Sequence, residues 1–284
     1  TGAYEDASAG TDKKVTYLLK SFDSVTGSNT NKDNYSLSLD GDKNFTNNNI
    51  ISKRTITSSD FETIDTTSET YTGLEHTKTV TNKETLEEGD FKVETSNNID
   101  AGEATITVSG INNCDGSFTS KFTILPYAIT PSTNGVVAAS KEYDGTTSTE
   151  NQTVTITGVN DEELKLTLSG TYESKDAANG LSITWKTISD GLTVTNGQMN
   201  AANYSYTAGE TVGTTTGNSI TPKEIKADLT SLEYETKTYD GNTKALWDSN
   251  DSKSCSLSGA DGETLNYTVT GAYEDASAGT DKKV

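Results

Sequence analysis

Apolar and polar residues alternate in short runs along the chain. Ala104-Thr105-Ile106-Thr107-Val108 is one such run, and Val154-Thr155-Ile156-Thr157, Leu164-Lys165-Leu166-Thr167-Leu168 and Leu192-Thr193-Val194 are others. Successive side chains of a strand point to opposite faces, so a period of two predicts half-buried strands with the apolar set inward and threonine outward. Turn dipeptides separate the runs: Asp-Gly at 115–116, 144–145, 190–191, 240–241 and 261–262, and Asn-Gly at 134–135, 179–180 and 196–197. Such dipeptides supply the left-handed backbone of tight hairpins. Helical periodicity is almost absent. The pattern predicts an all-β fold of small antiparallel β-sandwich (Ig-like) modules in tandem, forming an extended array. Modules of roughly 75–100 residues can each build one modest core.

Composition strengthens that reading. Of 284 residues, 50 are Thr and 30 are Ser, and only 31% are hydrophobic. The branched Cβ of threonine favours strands over helices. No apolar run is long enough to span a membrane as a helix. No signal peptide is recognisable and the chain opens at Thr1, as a mature or excised piece would. Lys and Arg total 22 against 42 Asp and Glu, a formal charge of −20. That field repels phosphate backbones, which argues against nucleic-acid partners, and it keeps long polymers from sticking to one another.

Repetition organises the chain. Residues 1–15 read TGAYEDASAGTDKKV, and residues 270–284 read the same fifteen letters. A weaker repeat lies inside. Lys141-Glu142-Tyr143-Asp144-Gly145 parallels Lys237-Thr238-Tyr239-Asp240-Gly241, and Gly170-Thr171-Tyr172-Glu173 parallels Gly271-Ala272-Tyr273-Glu274. Asn31 to Ser36 parallels Asn200 to Ser205. Two of only three prolines, Pro126 and Pro222, mark equivalent junctions, where a residue with no N–H suits an extended crossing. These parallels divide the chain into residues 1–50 (the back half of a module), 51–125, 126–222, and 223–284 (the front half of a module completed by the next period). The tyrosines of Y-D-G, G-x-Y-E and N-Y-S are expected to place a ring in the core and a hydroxyl on a backbone partner.

At these residues the sequence resembles two bacterial surface-repeat families. The K-E-Y-D-G-T-T run, G-T-Y-E, the Ala177–Gly180 turn and N-A-A-N-Y-S look like the YDG repeats of hemagglutinin-type adhesins, and 226–284 joined to 1–50 resembles the same family. Residues 57–124 look like the MBG-like repeat of bacterial surface proteins, through Tyr71-Thr72-Gly73, Leu86 to Phe91, Asn97 to Gly102 and Lys121 to Ile124. Cys114 stands where such modules usually carry Tyr. The resemblance implies stalks and adhesive fibres outside the cell and implies no chemistry.

Candidate chemistry is sparse. His76 is the only histidine, no G-x-S-x-G elbow or phosphate loop occurs, and Cys114 and Cys255 lack metal-ligand spacing. No catalytic, cofactor-binding or metal-binding residue is assigned, and the chain is expected not to be an enzyme. Asp40-Gly41-Asp42-Lys43-Asn44 starts like a calcium loop but lacks the distal glutamate. Asp144 and Asp240 suit turns. N-x-S/T sequons fall at Asn34, Asn44, Asn151, Asn203 and Asn266. A Lys–Asn isopeptide crosslink would need a buried Lys, Asn and acid. Trp185 follows an alternating run and belongs in a core, whereas Trp247 lies in a polar stretch that suits a contact surface. The expected function is a structural segment of an extracellular bacterial surface protein, with neighbouring periods of the same protein, head to tail, as partners. The alternatives are an adhesin module recognising a glycan or host protein, and a subunit of a non-covalent extracellular filament.

Overall fold

Strand after strand shows the burial alternation that the sequence predicts. In Glu163–Tyr172, Leu164, Leu166, Leu168, Gly170 and Tyr172 are buried, and the residues between them are not. The computed structural model describes residues 2–17, 26, 32–38, 44–46, 49–195, 200–230, 232–233, 236–246 and 250–284. Among these the fold is all-β, with strands, short 3-10 turns and no α-helix. No described helix is long and apolar enough to cross a membrane. The chain forms two compact units. One comprises Thr1–Ile129 with Val159–Asp161 and Gln198–Ser205, and the other comprises Thr130–Gly158, Glu162–Gly197 and Tyr206–Val284.

The second unit is built on a five-stranded sheet. Its order is Ser140–Glu142, Thr211–Thr221, Ala178–Val194, Glu163–Tyr172 and Gln152–Thr157. The pairings are antiparallel except that of Ser140–Glu142 with Thr211–Thr221. One face packs Val154, Leu166, Leu168, Tyr172, Leu181, Ile183, Trp185 and Ile220 together. Trp185 is fully buried, as its alternating run requires, and its indole N–H donates to Thr215 Oγ1 at 2.9 Å. Gly170 is required here: a Cβ at that position would lie 2.5 Å from Thr149 and 2.8 Å from the Trp185 ring. The unit also holds the hairpin Ser252–Ser258 and Thr264–Thr270.

Two turn dipeptides do something other than turn the chain. Asp190-Gly191 and Asn179-Gly180 lie inside the single 17-residue strand Ala178–Val194. Thr187 pairs with Leu168 and Leu192 with Leu166, so residues 188–191 bulge out opposite Thr167. Asp190 takes φ 54° at the bulge, and the Tyr206 hydroxyl ties it down by accepting from Gly191 N–H at 2.9 Å and donating to the Ile188 carbonyl at 2.7 Å. A second register shift follows Asn179, with Gly180 at φ 76°. Bulges bend a strand and increase its twist, and here they curl the sheet around its core.

In the first unit, a four-stranded sheet runs in the order Glu69–Thr70, Ser117–Leu125, Gly102–Gly110, Phe91–Ser96. Two small ladders join it, Phe61–Ile64 with Val80–Asn82 and Arg54–Thr55 parallel to Cys114–Asp115. Phe61 packs edge-on against Phe91 with ring centres 5.0 Å apart, and Ile106, Val108, Phe122 and Ile124 complete the core. Ahead of it, Gly2–Tyr4, Lys14–Tyr17 and Asn44–Thr46 make a three-stranded sheet.

Leu166→Ala removes a fully buried side chain from the five-stranded sheet and is expected to cost about 2–5 kcal/mol. Urea denaturation followed by tryptophan fluorescence measures this directly. A change below about 1 kcal/mol would show that the curled sheet does not close over a packed core.

Candidate functional site at the module seams

Each Y-D-G loop is closed by a lysine. Lys141 Nζ donates to Asp144 Oδ1 (2.8 Å), to the carbonyls of Thr146 and Ser148 (both 2.8 Å) and to Thr146 Oγ1, and it stands 5.6 Å from the centre of the Tyr172 ring. Lys237 repeats this with Asp240 (2.9 Å) and Asn242 (3.0 Å to its carbonyl), 5.9 Å from the Tyr273 ring centre. The aspartates are turn residues, as the sequence suggests: Asp144 Oδ1 accepts from Thr146 N–H and Asp240 Oδ1 from Asn242 N–H. The bond from Lys141, helped by the Thr146 amide, holds the Asp144 carboxyl down at about 2.

The Y-D-G tyrosine departs from the expectation in its partner and its depth: the Tyr143 ring packs only at the edge of the core, and its hydroxyl meets a side chain instead of the backbone. Tyr143 is half-buried, and its hydroxyl donates 2.5 Å to the carboxylate Oε1 of Glu263. Tyr239 is 66% exposed. The expected core ring is found at Tyr172, whose hydroxyl reaches the Ser219 carbonyl at 3.2 Å, and at the N-Y-S tyrosine Tyr204, but not at their counterparts Tyr4 and Tyr35, which are exposed.

A second recurring element meets these loops. Gly110-Ile111-Asn112-Asn113, Gly158-Val159-Asn160-Asp161 and Gly259-Ala260-Asp261-Gly262 are three versions of one turn, with the third residue left-handed at φ 50°, 49° and 49°. Asn and Asp tolerate that conformation better than other residues with a Cβ. Close backbone approach explains the leading glycine: a Cβ at Gly110 would lie 2.5 Å from the Asp115 carbonyl oxygen.

In the first unit, Asn160 Nδ2 donates to the Thr72 carbonyl of Y-T-G at 2.9 Å. Beside it, Tyr204 receives the Val159 N–H (3.0 Å) on its hydroxyl and the edges of Tyr71 (5.6 Å) and Tyr127 (6.2 Å) around its ring. Tyr127–Ala128, just after Pro126, runs parallel to Tyr204–Ser205. Asn203, 1% exposed, accepts the Ala101 N–H (2.8 Å) and donates to Asp100 (2.8 Å). Earlier in the same unit, Ala9 N–H donates to Asn113 Oδ1 at 2.9 Å, and Gly10 and Ile51 exchange both backbone hydrogen bonds. In the second unit the third turn reaches the Y-D-G loop, so that a Cβ on Gly145 would lie 2.5 Å from Asp261 Cβ. A hollow of about 350 Å³ beside it is lined by Tyr143, Ala177, Pro222, Ala260 and Leu265.

The remaining candidates have structural surroundings. His76 is half-buried, its Nε2 is 3.2 Å from Thr72 Oγ1, and its backbone is held by Asn98. Cys114 and Cys255 are free cysteines, and burial pushes the Cys114 thiol up. No group of three or more His, Cys, Asp or Glu among the described residues is arranged to hold a metal ion. The sequon at Asn203 is buried inside its own hydrogen bonds. Lys78, the one buried lysine among the described residues, bonds the Thr67 carbonyl and Glu69, with no asparagine among its bonds. Asp40 to Lys43, and with them the calcium-loop reading, lie outside the described residues, as does Trp247.

Residues 125–212 and 221–284, more than half of the chain, match the YDG domain. The chain belongs to the YDG domain family. No curated protein and no solved structure matches it. The match holds both Y-D-G loops, and residues 1–124 lie outside it. The seam residues of this YDG protein were only half visible in its sequence. Gly158 and Gly259 stand out as equivalent, but the left-handed Asn or Asp two residues later, and the alanines at 9, 101 and 177, become meaningful only once their contacts are seen.

Two measurements test the seams. Asn203→Ala leaves the Ala101 amide and Asp100 without their partner and is expected to cost about 1–3 kcal/mol in urea denaturation; an unchanged midpoint would show that the buried carboxamide is dispensable. Tyr143 has its phenol pushed up to about 12, first by its bond to Glu263. A tyrosine raised above its ordinary 10 contributes stability in full below about pH 10, and that contribution is lost as pH rises through about 12. Burial also pushes the Tyr172 and Tyr267 phenols up, so ultraviolet titration should show several late-ionising tyrosines, of which one returns toward 10 in Glu263→Gln.

Proposed function

We propose that the chain is a structural repeat segment of an extracellular bacterial surface protein, forming a stalk or adhesive fibre. Its modules are read as small antiparallel Ig-like sandwiches in tandem, with residues 51–125 an MBG-like module between YDG modules. The observation that carries this reading is the recurrence of one seam device, a Y-x-G loop or alanine amide meeting a left-handed G-x-[N/D] turn, wherever successive sequence modules join. Strong bulges favour the sandwich reading, because a strand that bends can serve both walls of a core. The chemistry invested in the chain lies at joints rather than in a cleft, which suits a load-bearing role. Repeat architectures stack modules so that each couples to its neighbours.

A second reading, a non-covalent filament subunit, is favoured by the exposure of Tyr239. Intact mass and sedimentation of the purified parent protein separate the two. A mass that is a multiple of a period near 30 kDa supports the covalent array, and single periods that sediment as long polymers support the filament. A single period that stays monomeric overturns both.

A further inference from the structure

The two copies of the fifteen-residue segment share a local fold but not a setting. Ser8 N–H donates to Asp6 Oδ1 at 2.8 Å, and Ser277 N–H donates to Asp275 Oδ1 at 2.7 Å. Glu5 N–H reaches the Lys14 carbonyl at 3.1 Å, and Glu274 N–H reaches that of Lys283 at 3.1 Å. Asp12 and Asp281 are left-handed at φ 56° and 55°, and Lys13–Asp6 and Lys282–Asp275 form the same ion pair. The first copy is seated on the 51–125 module, through Ala9 on Asn113 and Gly10 on Ile51. Ala9 and Gly10 are half-buried there and Val15 is 6% exposed. In the second copy Ala278 and Gly279 are exposed, Val284 is 45% exposed, and neither the Ala278 nor the Gly279 amide has a partner among the described residues.

The other half of a seat stands beside that second copy. Tyr239, Tyr273, Ala276, Ala278 and Gly279 line one hollow, just as Tyr143 and Ala177 line the hollow that the Ala260 turn enters. Gly241 repeats the left-handed φ of Gly145, 78° against 82°, but where a Cβ on Gly145 would run into Asp261, a Cβ on Gly241 would meet only the Tyr239 hydroxyl, at 4.0 Å, among the described residues.

We propose that this face docks the Gly110–Cys114 turn of a following copy of the chain. The Ala278 N–H takes the Asn113 carboxamide, and Gly241 lies against the left-handed Asn112. The proposal rests on the repeat-array reading and names its partner surface. Sequence identity chooses the occupant: the same fifteen residues, in the same conformation, already hold that turn within this chain. In a covalent array, residues 270–284 are residues 1–15 of the next period. Between separate chains they must displace the partner's own residues 1–15.

Two equivalent alanines therefore have opposite effects on self-association of the full chain. Ala9→Pro removes the N–H that holds the chain's own segment on Asn113, and sedimentation equilibrium is expected to show association strengthened by about five- to tenfold, the worth of one hydrogen bond. Ala278→Pro removes the intermolecular bond and should weaken association by a similar factor. Shifts in the same direction, or none, overturn the proposal. If a proline disturbs its loop, a benzoylphenylalanine at position 239 gives an independent readout. Irradiation should link it to residues 110–114 of another chain, and intermolecular links elsewhere, or none, overturn the seat. A parent of many covalent periods whose crosslinks map elsewhere keeps the array and loses this seat; links to 110–114 in a parent of one period do the reverse.

Discussion

The fold depends on carboxamide side chains that close backbone ends which apolar burial leaves open. With 31% hydrophobic residues the chain cannot cover every strand end with a core, and a buried amide without a partner costs about 1–3 kcal/mol. Asn218, with no exposed surface, shows the solution inside a module. Its Oδ1 accepts the Ala139 N–H at 2.9 Å while its Nδ2 donates to the carbonyls of Leu181 (3.0 Å) and Thr215 (3.1 Å). Asn203 and Asn113 apply the same chemistry to neighbouring segments. One side chain with a donor and an acceptor can satisfy two strand ends at once, which threonine cannot do at that reach.

Charge acts alongside these bonds as a local fastener rather than a global one. Basic residues number 22 against 42 acidic ones, and four lysines fasten turns. Lys141 and Lys237 each close a Y-D-G loop, and Lys13 and Lys282 each hold an aspartate of the repeated segment. In each pair the lysine is largely covered but the aspartate is about half exposed to water, so their worth is modest and screened by salt. Their linkage has a definite sign. Asp144 sits at about 2, below its ordinary 3.8, so its contribution is present above that ordinary value and is lost as pH falls through about 2. The clamps therefore hold under mildly acidic conditions.

Much of the fold was legible because burial enforces a period of two. The runs at 104–108, 154–157 and 164–168 are strands, and Trp185 is core. What misled were signals whose local meaning is shared by two structures. Asn-Gly and Asp-Gly supply a left-handed residue, and a bulge needs one as much as a hairpin does; only the register of Ala178–Val194 against its neighbours decides between them. The tyrosines failed similarly. Periodicity marks a ring as amphipathic but does not say how deep it sits: Tyr143 stops half-buried against the core with its hydroxyl on Glu263, a partner 120 residues away. Seam residues were the least legible, since their partners belong to another module.

A chain of strands must also avoid sticking to itself in the wrong register. Unpaired strand edges and exposed amides are a hazard in any all-β polymer, and charge along the edges is a common protection. Here the formal charge is −20, so random close approach of two copies is opposed within about one Debye length, roughly 8 Å at physiological salt. A seam must then be favoured by short-range geometry alone. The left-handed Asn or Asp against a glycine meets that need: any larger residue in place of Gly145 would collide with Asp261, and a right-handed residue at Asp261 would carry its side chain away from the loop. Specificity at such a contact comes from backbone handedness and one or two amide bonds, over a background of net negative charge. A contact of this kind fixes its neighbour without a large apolar interface, which a chain with 31% hydrophobic residues is poorly placed to supply.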